Sequence, residues 1–100
     1  MSNSNDNGGK NGGNDAQGGL DLPESLAREG HVVWFHEYRK YLGYAWDEAA
    51  GEIRRAHVSD PEHAIYFDTF AEAMVATDML MGPRVIIHAS KRGERPRLVR

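Results

Sequence analysis

The chain has no cysteine. Disulfides, thiol nucleophiles and zinc sites with thiolate ligands are therefore excluded, and a cytoplasmic protein is expected. Nor does any stretch approach the roughly 18 consecutive apolar residues of a membrane helix, so a membrane is not expected among its partners. Residues 1–19, MSNSNDNGGKNGGNDAQGG, lack every aromatic and β-branched side chain, and six of them are glycine. Such a segment cannot bury enough surface to offset its ordering entropy, and the reading is a disordered tail. It has neither the apolar centre nor the basic start of a signal peptide.

What remains is one small domain, residues 20–96, with 97–100 as the end of a basic tail. A fold of this size buries only about 60% of its unfolded-chain surface. Marginal stability, or support from a second chain, follows.

Catalytic signatures are missing as well. No G-x-S-x-G, P-loop or G-x-G-x-x-G occurs in a strand-to-helix context. GGKNGG has the letters of a phosphate loop without the flanking elements. Glu37, Asp47, Glu48 and Glu52 form no pair marked for acid–base work. Of the five histidines, His31 and His36 would point to opposite faces of a strand, and His57 and His63 flank a loop. A structural, hydrogen-bonded role suits His88 at the end of an apolar strand. No enzyme activity, cofactor, metal or small-molecule substrate is expected.

Charge is present but unevenly spread. Residues 26–82 carry five cations and ten anions, whereas 83–100 carry six cations and one anion. A basic end on an acidic body suits phosphate, an acidic protein surface, or simple solvation.

The chain punctuates clearly. HVVWFHEY (31–38) and YLGYAWDE (41–48) are rich in β-branched and aromatic residues and read as strands, with Gly43 a candidate bulge. EIRRAHV (52–58) is a third strand, and AIYF (64–67) a short fourth. Thr69 and Glu72 have capping-box spacing, and a helix is expected from there to the stop at Gly82-Pro83. RVIIHAS (84–90) is a further strand, followed by a turn and a frayed basic tail. The order β-β-β-(β)-α-β predicts an α+β fold, a mainly antiparallel sheet of three to five strands with one helix on one face.

At about 100° per residue, Phe70, Ala73, Met74, Thr77, Leu80 and Met81 form the expected core stripe. Val75 and Met79 lie off it. They are either scattered surface side chains or a contact for a partner or a second copy, a use to which methionine is suited. All nine aromatic residues fall between Trp34 and Phe70. One helix covers one face, so aromatic surface is left on the other. Either edge packing and residues 20–30 (LDLPESLAREG), which read as one short lead-in turn of helix, close it, or aromatic surface around Trp34 or Trp46 stays open.

H31-V32-V33, A45-W46, F67-D68-T69 with E72-A73, and V85-I86-I87-H88 followed by K91-R92-G93-E94-R95 resemble, in order, a group of short bacterial domains of unknown function. The chain departs from that pattern by a longer insertion, roughly 47–63. The resemblance implies a fold and no activity. Y41-x-G43-x-x-W46-D47, G51-x-I53-R54-R55-A56 and F67-D68-T69-x-A71-E72-A73 are similar to the sheet-plus-helix DNA-binding module of plant ethylene-response factors and phage integrase arm domains. That likeness implies a sheet in the major groove and points to Trp46, Arg54 and Arg55.

The functional expectation is a non-catalytic binding module acting through a protein partner or a homodimer, with Val75, Met79, Trp34 and Trp46 as contacts. The alternative is nucleic-acid binding through Arg54, Arg55, Lys91, Arg92, Arg95 and Arg97. A phage or mobile-element inhibitor is a third reading.

Overall fold

A computed structural model describes residues 20–99; the N-terminal tail expected to be disordered and Arg100 lie outside them. Five strands form one antiparallel sheet: β1 (Gly30–Phe35), β2 (Lys40–Asp47), β3 (Glu52–Val58), β4 (Val85–Ala89) and β5 (Arg97–Val99). Their spatial order is β3-β2-β1-β4-β5. A 3-10 turn (Pro61–His63) and the helix α1 (Phe70–Thr77) connect β3 to β4. No helix among the described residues is long and apolar enough to cross a membrane.

β1 is central, and Val32, Val33, Trp34 and Phe35 are all buried. An uninterrupted apolar run is what a strand covered on both faces requires. One face belongs to α1, where Val33, Phe35 and Leu42 pack with Ala76, Ile65, Phe67 and Leu80. The other is closed by residues 20–28. Leu26 and Leu22 pack there with Val32, Trp34, Tyr41, Ile87 and Tyr66.

Three hydrogen bonds fasten that cover. Trp34 Nε1 donates to the Asp21 carbonyl at 2.8 Å, Ala27 N to the Tyr66 hydroxyl at 2.9 Å, and Gly93 N to the Leu26 carbonyl at 2.9 Å. Asp21 also pairs with Arg39, whose guanidinium lies over the Trp34 ring.

α1 begins where the capping box places it. Thr69 Oγ1 accepts from Glu72 N, and the Glu72 carboxylate accepts from Thr69 N. It ends at Thr77, five residues before Gly82 of the Gly82-Pro83 signal. The Thr77 carbonyl accepts from Arg84 Nη2 at 2.9 Å, which places a cation at the negative end of the helix. The expected core stripe holds in part: Ala73 faces inward, Leu80 packs on the core, and Phe70 and Thr77 are half-buried. Ala73 and Ala76 are buried, while Met74 and Met81 leave the expected core stripe for the surface.

Three further corrections concern extended chain. β1 stops at Phe35, and His36–Arg39 form a turn closed by Arg39 at φ 55°. Residues 97–99 do not fray; they form β5 and pair with β4. Residues 64–67 are not a strand but a wedge. β1 and β2 pair only at Trp34↔Tyr41 and Phe35↔Lys40 and then diverge. Into the gap runs 64–67, bonded to β1 through His31 and Phe67 and to β2 through Ile65 N to the Leu42 carbonyl.

Gly43 is not a bulge, because the β2–β3 register runs without a break from Tyr41↔Val58 to Asp47↔Glu52. Glycine is needed there for space. A Cβ at this position would lie 2.4 Å from the His63 carbonyl oxygen and 2.5 Å from Val58 Cγ2.

Candidate binding surface

β2 and β3 extend beyond the wedge as a two-stranded arm. Alternation along the arm sorts its side chains. Leu42, Tyr44 and Trp46 share one face with their cross-strand partners His57, Arg55 and Ile53. This is the α1 side of the sheet, since Leu42 belongs to the helix-side core and His57 stacks on Phe35 at 4.0 Å. The helix, however, packs on β1 and β4. Past Leu42 the face is bare, with Trp46 58% and Ile53 66% exposed as direct neighbours across the ladder.

The opposite face of the arm carries Ala45, Ala56 and a neutralised cluster. Arg54 Nε donates to Glu52 at 2.7 Å, and its guanidinium lies 3.8 Å from Asp47. Arg54 and Arg55, neighbours in sequence, thus serve different faces. Arg55 makes no ion pair among the described residues.

Val75 and Met79 are where the sequence placed them, on the outer side of the helix segment at 70% and 90% exposure. A groove of about 500 Å³ runs beside that side, lined by Tyr66, Phe67, Asp68, Ala71, Glu72 and Val75. Tyr38 and Met81, also exposed, line a depression with His57 and Gly82 between the end of the helix segment and the arm. Trp34 is different. It is 2% exposed under the 20–28 cover and offers no surface to a partner. Of the two accounts of that face, cover by residues 20–30 is the one the structure has at Trp34.

The remaining cations do not gather. Arg92 lies 3.7 Å from Glu62, and Arg95 lies 3.8 Å from Glu24. Lys91 and Arg97 stand near Glu94, whose carboxyl is held below its usual range by bonds from the Ser90 hydroxyl and amide, aided by those two cations. These residues sit at the β4–β5 turn and on β5, the opposite edge of the sheet from β3.

One juxtaposition escapes sequence reasoning. His31 and His88 face each other across β1 and β4 with ring centroids 4.4 Å apart, and His31 Nδ1 is buried without a partner. Only the strand register, which spacing does not reveal, brings them together. Among the described residues no group of three His, Asp or Glu side chains could hold a metal. Comparisons with protein-family models, with curated proteins and with solved structures found no match.

Proposed function

We propose that this chain is a non-catalytic module that binds protein through the helix-side face of its β2–β3 arm, with Val75 and Met79 extending the contact. The observation that carries the reading is the pair Trp46 and Ile53, held side by side and uncovered on a regular ladder. A large aromatic flanked by an aliphatic residue and an arginine matches the composition of binding hot spots. The β2–β3 register is unbroken, and a preformed ladder leaves less to order on binding. Protein is preferred to nucleic acid because the arginines disperse: Arg54, Arg92 and Arg95 each lie near a carboxylate, and Arg54 and Arg55 sit on opposite faces.

The test is photo-crosslinking from position 46 in lysate and with pure protein, against a crosslinker at the exposed turn residue Glu37. The reading expects a protein adduct from position 46 that Ile53→Glu abolishes. Equal adducts from both positions, or adducts indifferent to Ile53→Glu, would overturn it.

A further inference from the structure

Resting on the reading that the arm face binds protein, we infer that its partner is a second copy of this chain, and that the surface it meets is the outer side of α1. Two features point there. The first is shape. α1 stands on β1 and β4 and leaves a step down to the bare face of β2 and β3 on the same side of the sheet. Two such surfaces, turned toward each other about a two-fold axis, set each helix into the other's step. The contact is then made twice, arm of one copy on helix of the other, and closes as a dimer.

The second feature is charge. Along the paired strands, the helix-side face of the arm has Tyr44, Trp46, Ile53, Arg55 and His57 and no carboxylate. The segment from Asp68 to Met81 has Asp68, Glu72 and Asp78 and no cation of its own; the Arg84 guanidinium at its end is turned to the Thr77 and Gly82 carbonyls. Apolar side chains, Trp46 and Ile53 on one surface and Val75 and Met79 on the other, lie among these opposite charges. An arm packed on an arm would bring Arg55 toward Arg55, and a helix packed on a helix would oppose three carboxylates to three. Only the crossed arrangement pairs unlike charges, and electrostatic complementarity of this kind selects partner and register.

The test is sedimentation velocity on the full chain over about 5–500 μM, bracketing the micromolar affinities of weak interfaces, with Arg55→Glu, Asp78→Lys and an equimolar mixture of the two. Both positions are exposed, and a lysine at the end of the helix suits its dipole. The wild type is expected to dimerise. Each variant alone should raise the dimer Kd at least about tenfold, since each reversal acts at both contacts. The mixture should recover dimer. In a heterodimer of the two variants, one contact sets the introduced glutamate against the introduced lysine, and the other keeps Arg55 against Asp78. A wild type that stays monomeric overturns the inference. So does a dimer whose Kd neither variant moves, or a mixture no tighter than its components. A dimer broken by Ile53→Glu yet indifferent to both charge reversals removes α1 as the occupant while leaving the arm as the binding surface.

Discussion

Replacing Gly43 by alanine tests how the wedge is seated. The backbone at Gly43 is ordinary extended strand, so an alanine is not strained by its φ. Reduced freedom of the unfolded chain alone would stabilise such a change by about 0.4–1 kcal/mol. Against this stands the added methyl, 2.4 Å from the His63 carbonyl oxygen and 2.5 Å from Val58 Cγ2. The valine is buried and stiff about χ1, and the carbonyl belongs to backbone that is anchored on either side. His63 N bonds to the Asp60 carbonyl at 2.9 Å, and Ile65 N to the Leu42 carbonyl at 2.9 Å. Overpacking against fixed neighbours costs about 1–3 kcal/mol, and the clash outweighs the entropic gain. The expected net loss is about 1–2 kcal/mol, which for a domain of this size lowers Tm by about 4–16 °C. Urea and thermal unfolding followed by circular dichroism measure it. Hydrogen exchange at Ile65 N should accelerate more than exchange within β4. A Gly43→Ala variant as stable as the parent would refute the close crossing of 61–64 over β2, and with it the wedge.

Other outcomes follow from the same packing. Leu26→Ala should cost about 2–5 kcal/mol and shift Trp34 emission to the red, because the 20–28 cover would loosen over the indole; unfolding curves and fluorescence check both. Thr69→Ala removes one half of the capping box and should cost about 0.5–2 kcal/mol, read by urea denaturation. Met79→Glu should weaken self-association in sedimentation without changing the unfolding midpoint, since Met79 is 90% exposed. Burial pushes the Tyr41 phenol up to about 12, with the Tyr66 phenolate adding to the effect. The folded state therefore keeps a proton that the unfolded chain loses near pH 10. This contribution to stability is complete below pH 10 and declines as pH rises from 10 toward 12. Urea midpoints at pH 8, 10 and 11 should fall along that range, and less steeply for Tyr41→Phe.

The elements with local chemistry were legible from sequence. β3 follows from its β-branched ends and the turn at Gly51, which adopts φ 68°. The start of α1 follows from Thr69 and Glu72, whose reciprocal bonds need no neighbour. The features that escaped depend on distant partners. β5 is three residues of a basic segment, and only its ladder with Ile86, Ile87 and His88 makes it a strand. The wedge reads as a strand because AIYF has strand composition; its divergent neighbours decide otherwise. α1 ends early, and the Arg84 guanidinium satisfies its freed Thr77 carbonyl from seven residues away, a contact invisible to helix propensity. As for the candidate surface, the exposure of Val75, Met79 and Trp46 agreed with their periodicity. Trp34 did not: of the two readings of residues 20–30, lead-in turn or cover of the sheet, the structure has the cover, with Leu22 and Leu26 packed against Trp34. Ile53 was overlooked; its position opposite Trp46, counted back from a two-sided turn at 48–51, was the available signal.

The wedge also fixes how the arm is held. β2 is joined to β1 directly at only two residue pairs, next to the turn. Its other attachment to the body of the sheet is through Leu42 and Gly43 to residues 64 and 65. Two residues past Phe67 that same segment becomes the cap of α1. The chain that seats the arm is thus the chain that leads into α1, and the two share one anchorage in residues 64–69.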